Sequence, residues 1–81
     1  MGNQGVKLNR KALKDARIRQ GLTIRALAEA CEAAGKKVDY SNLCDYENGV
    51  HQPGPRNLFV IAKALGMTVD ELRDMSEDAA A

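Results

Sequence analysis

Apolar residues recur at three- and four-residue spacing along almost the whole chain, the period of an amphipathic helix. Leu13, Ala16 and Arg17 share one face, with Gln20 one turn further on. Asn9 stands where a helix cap is wanted, so a first helix is expected over Arg10 to Gln20, closed by Gly21. Ile24, Leu27, Ala28, Cys31 and Ala34 make the stripe of a second helix, capped by Thr23 and stopped by Gly35. Val38 then plugs into the core, and Asp39 caps a third helix with Leu43 and either Tyr46 or Glu47 inward. Asn48-Gly49 ends it. Beyond the loop His51-Gln52-Pro53-Gly54, Pro55 suits the first position of a fourth helix, where its missing N–H costs nothing. Leu58, Ile61, Ala62 and Leu65 form that helix's buried stripe, and Gly66 ends it. Thr68-Val69-Asp70-Glu71 is a capping box, opening a fifth helix with Val69, Leu72 and Met75 inward.

This pattern predicts one all-α domain of five helices over residues 9–75, preceded by a flexible arm (1–8) and followed by a frayed acidic tail (76–81). The chain has 81 residues, enough for a single small core. With no tryptophan and one phenylalanine, that core must be aliphatic. Between Leu22 and Gly49 two short helices flank a glycine-bearing turn, the arrangement that places a helix in the major groove of DNA.

Charge sharpens this. The net charge is only +1, but residues 1–37 hold nine Lys/Arg against three Asp/Glu, and residues 38–81 hold three against eight. Such asymmetry suits a basic face that meets an anion. No apolar run approaches the ~20 residues of a membrane span, and the start has no apolar leader, so the cytosol is the expected compartment. Cys31 and Cys44 are then expected to be reduced, serving as small core residues. No CxxC or HxxxH spacing offers a metal site, and no nucleophile–base pair or phosphate loop suggests an enzyme or a cofactor.

The ordered set Leu13-x-x-x-Arg17, Gly21-Leu22-Thr23, Leu27-Ala28, Val38-Asp39, Leu43, Glu47-Asn48-Gly49, Pro53, Leu58-x-x-Ile61-Ala62-x-Ala64-Leu65 and Thr68-x-x-x-Leu72 resembles the Cro/CI-type (XRE-like) helix-turn-helix family. The resemblance implies a lambda-repressor-like DNA-binding domain. It also implies a buried ion pair between Arg17 and Glu47 that locks the first helix to the third. Two departures stand out. About five extra residues lie between Ala28 and Val38, roughly one helical turn plus a loop residue, so the second helix and its turn are lengthened. Ile24 occupies the place where the family commonly has a phosphate-gripping Gln, leaving Thr23, Arg25 and the helix N–H groups to supply that contact.

On this resemblance Tyr40, Ser41, Asn42 and Asp45 are the base-reading candidates. Asn42 suits the edge of an adenine, and Asp45 suits the cytosine amino group. Thr23, Arg25, Lys36, Lys37, Asn48, His51 and Arg56 are the phosphate-positioning candidates, with Arg10, Lys11 and Lys14 extending the basic surface. Phe59 and Val60 fall off the fourth helix's core stripe and suggest either a homodimer contact or cover by the long second helix or the arms. The expected partner is double-stranded DNA and the expected role a dimeric transcriptional regulator, most naturally a repressor of the phage or mobile-element kind. The alternative is a protein-interaction module that binds a protein partner, antitoxin-like, and has lost DNA binding. Ile24 and Asp45 favour that alternative.

Overall fold

The computed structural model describes residues 7–73. Five helices follow in chain order: α1 (Arg10–Arg19), α2 (Ile24–Ala34), α3 (Tyr40–Asn48), α4 (Pro55–Leu65) and α5 (Val69–Leu72). There is no strand among the described residues; Leu8 and Arg73 form an isolated antiparallel bridge. Met75 and the expected tail lie outside the described residues.

Local chemistry sets most of the helix boundaries. The Asn9 side chain accepts from the Ala12 N–H at 3.1 Å and Thr23 Oγ1 from the Ala26 N–H at 3.0 Å. Each such cap contributes about 1 kcal/mol. Both halves of the capping box are made, Glu71 N–H to Thr68 Oγ1 at 3.2 Å and Thr68 N–H to Glu71 Oε1 at 2.8 Å. Asp39 departs from expectation. It occupies the N-cap of α3 with extended backbone, but its carboxylate accepts no capping hydrogen bond. At the other end of α3, Gly49 takes the left-handed conformation at φ +80°, which favours glycine.

α2 packs chiefly against α4, while α1 packs against α3 and α5. Between them lie Leu13, Leu27, Cys31, Leu43, Leu58, Ile61 and Leu72, all fully buried. Two polar bonds fasten the bundle. The Tyr46 ring is buried and its hydroxyl accepts from Asn57 Nδ2 at 3.0 Å, joining α3 to α4. Gln20 Nε2 donates to the Leu65 carbonyl at 2.7 Å, so the end of α1 satisfies an orphan acceptor at the end of α4.

Two positions differ from the sequence expectation. Val60 is buried, not exposed beside Phe59. The reason is that α4 meets both α2 and α5, so its covered sector is wider than one helical stripe. Leu8, expected in the arm, is also buried. Its N–H donates to Gln52 Oε1 at 2.9 Å, and the next N–H, of Asn9, donates to the Leu72 carbonyl at 2.7 Å. The packed domain therefore begins one residue before the cap of α1.

Candidate nucleic-acid interface

Arg17 and Glu47 set the position of α3. Arg17 Nε donates to Glu47 Oε2 at 2.6 Å and Nη2 donates to Oε1 at 3.0 Å. A third donor, Nη1, reaches the Leu22 carbonyl at 2.8 Å. The two side chains are only 12% and 7% exposed, so this is a forked, largely desolvated pair. The bond to Glu47 holds the Arg17 guanidinium above its ordinary pKa, against the opposing effect of burial. One side chain thus ties α1 to the end of α3 and to the turn leading into α2.

With Leu43 and Tyr46 turned into the core, α3 presents Tyr40, Ser41 and Asn42, all exposed on its first turn. Asp45 lies one turn further along and is half-buried. Its Oδ2 is 3.7 Å from His51 Nε2, so this carboxylate and the loop imidazole form one local pair when His51 is protonated.

The start of α2 adjoins this face. Arg17, Thr23, Ile24, Arg25 and Tyr40 line one open groove. Thr23 Oγ1 accepts from the Ala26 N–H, which leaves its O–H free to donate. Ile24 is half-buried against the core. It spends its side chain on packing, not on an anion. The Arg25 guanidinium sits over the Tyr40 ring, 5.0 Å from its centroid.

Lys36 and Lys37 are exposed in the segment joining α2 to α3. Lys37 lines a shallow groove together with Arg25, Tyr40, Glu29, Glu32 and Asp39, so both cations stand beside carboxylates there. Asn48 is exposed at the end of α3 and Arg56 on the first turn of α4. Gly54 gives α4 no side-chain cap, which leaves the first-turn N–H groups near Arg56 unclaimed by a capping side chain. The Arg10 side chain lies directly against Gly49, so the basic start of α1 abuts the end of α3.

Away from this face, Phe59 is 59% exposed and lines an apolar groove with Ala62, Met67 and Val69. Val69 is one of the residues expected inward on the fifth helix and packs against the core, whereas Met67, an apolar residue just before the Thr68 cap, is the one that sequence reasoning missed. Cys31 and Cys44 are free thiols, the first buried and the second half-buried. Burial pushes the Cys31 thiol up to about 11, so it stays protonated and unreactive at neutral pH. No helix among the described residues is long and apolar enough to cross a membrane.

Among known proteins, the helix-turn-helix family model HTH_3 matches residues 13–72, three-quarters of the chain and all five helices but the first turn of α1. A search of curated proteins finds no match.

Proposed function

Because the chain belongs to the XRE/Cro-CI-type helix-turn-helix family of DNA-binding regulatory domains, we propose that it is a sequence-specific transcriptional repressor gripping an inverted repeat as a dimer. The observation that carries this reading is the first turn of α3. Tyr40, Ser41 and Asn42 stand exposed together while the forked Arg17–Glu47 pair holds their helix rigidly against α1. Preorganised side chains on a fixed helix are what base reading needs, since every loose rotamer must be ordered on binding.

In this reading Asn42 bonds an adenine edge, Ser41 a neighbouring base, and Tyr40 a thymine methyl or a phosphate. Asp45 accepts from a cytosine amino group, with His51 moderating its charge. Thr23, Arg25, Lys36, Lys37, Asn48, His51 and Arg56 hold phosphates on either side of the groove. Phe59, with Met67 and Val69 around it, is the dimer face. Half-sites then lie about one helical turn of DNA apart.

A protein-docking module without DNA binding is the competing reading. It is favoured by Ile24 being committed to packing and by the acidic Asp45 on the reading face. Retardation of random duplex at low salt separates the two. Binding at about 50 mM salt that fades steeply as salt rises supports the DNA reading; no binding there, where counterion release helps most, overturns it.

A further inference from the structure

Arg25 differs from the other basic residues on this face in how its side chain is held. Arg17 is consumed by Glu47 and the Leu22 carbonyl. Lys36 and Lys37 are flexible point charges on the connecting segment. Arg25 instead has its guanidinium over the Tyr40 ring. It makes no hydrogen bond or ion pair among the described residues, although Glu29 lies one turn along the same helix. Its N–H donors are therefore unclaimed among the described residues, while its guanidinium is placed over an aromatic face. That combination is unlike an ordinary phosphate-gripping lysine. A planar fork set over a ring at the edge of the groove matches a ligand with two acceptors at fixed separation. Tyr40 is the first residue of α3, directly before Ser41 and Asn42, so the fork sits beside the base-reading side chains.

We infer that Arg25 is a specificity-determining residue that reads a guanine through its O6 and N7, and that Tyr40 is the platform that aims it. The inference rests on the DNA-binding reading above and moves Arg25 from the phosphate-positioning group to the base-reading group. It also gives the first turn of α2 a role in sequence choice. Ile24 packs that turn against the core, Thr23 caps the Ala26 N–H, and Arg25 projects from it over the leading end of α3.

The test is selection of bound duplexes from a random library with the whole chain and four variants, Arg25→Lys, Arg25→Ala, Tyr40→Phe and Tyr40→Leu. The parent protein should enrich a half-site containing a guanine. Arg25→Lys keeps the positive charge and loses the fork. It should lose roughly 5- to 150-fold of the preference for guanine at that one position, with the salt dependence unchanged. Tyr40→Phe keeps the aromatic face and should keep the guanine; Tyr40→Leu removes the face and should lose it. Enrichment that Arg25→Lys leaves unchanged at every position overturns the inference. So does an Arg25→Ala protein that weakens on all sequences alike with a salt slope smaller by about 1, the mark of a phosphate contact. Failure of the parent protein to enrich any sequence at about 50 mM salt overturns the DNA-binding reading itself, and this inference with it.

Discussion

Arg17 and Glu47, thirty residues apart, are joined by two parallel hydrogen bonds of 2.6 and 3.0 Å in a setting that excludes most water. A pair of this kind is asymmetric in its energetics. Removing one partner strands the other charge, whereas removing both costs little. Glu47→Ala should therefore destabilise the domain by about 3–5 kcal/mol. Arg17→Met with Glu47→Leu should recover most of that loss. Urea midpoints of the two singles and the double, combined as a double-mutant cycle, check this. Additive losses would mean that the two charges are not coupled.

If α3 enters the groove as proposed, substitutions should separate two kinds of contact. Asn42→Ala is expected to relax base preference at one position by roughly 5- to 150-fold. Arg56→Ala is expected to weaken all sequences alike and to flatten the salt slope by about 1. Competition binding over a salt series distinguishes them. Equal effects of both substitutions on every sequence would mean that α3 does not enter the groove.

Phe59 and Val60 are neighbours on α4 with opposite environments, one exposed and one buried. Phe59→Asp should leave the melting temperature of dilute protein unchanged and shift sedimentation toward the monomer. Val60→Ala should lower stability by about 1–3 kcal/mol and leave self-association of the folded fraction intact. A Val60→Ala protein as stable as the parent would contradict the packing of α4 described above.

Cys31 links stability to alkaline pH. The thiol titrates near 9 when exposed and at about 11 in the folded protein, because burial disfavours the thiolate. The folded state holds this proton more tightly than the unfolded one. Its contribution to stability is thus complete below about pH 9 and is lost as pH rises from about 9 to about 11. Cys31→Val keeps an apolar side chain and should show a shallower fall of urea midpoint over that window. Alkylation at neutral pH should spare Cys31 until the protein unfolds.

Gly49 joins backbone strain to a close contact. A Cβ there would meet the Arg10 guanidinium, and φ is +80°. Because Arg10 is a long, exposed side chain that can swing aside, the lasting cost of Gly49→Ala is backbone strain, about 1–2 kcal/mol. Thermal melting of Gly49→Ala beside Arg10→Ala/Gly49→Ala tests this. A large rescue by Arg10→Ala would make the steric contact the dominant cost.

Much of this architecture was legible along the chain because its causes are local. Asn9, Thr23 and the Thr68–Glu71 box each close hydrogen bonds within three residues, so their residue types alone announce helix starts. Gly35, Gly49 and Gly66 end helices by adopting backbone angles that other residues avoid. The apolar stripes of α1, α2 and α4 follow from helical period. Asp39 shows the limit of such reasoning. Its type and place suit a cap, yet no capping bond forms, since a cap also requires a side-chain rotamer that sequence does not specify.

The sequence by itself determined five helices, their order, most of their inward faces and the exposed Tyr40–Asn42 turn, because helical period and capping act over one or two turns of chain. Tertiary structure decided the rest. Val60 and Leu8 are buried because of what lies opposite them, and Phe59 gains its apolar groove from Met67 and Val69 across the α4–α5 turn. The third bond of Arg17, to the Leu22 carbonyl, and the placing of Arg25 over the Tyr40 ring join segments whose approach depends on how α1, α2 and α3 pack. Burial and charge orientation are properties of the space between elements, and that space exists only once the chain has folded.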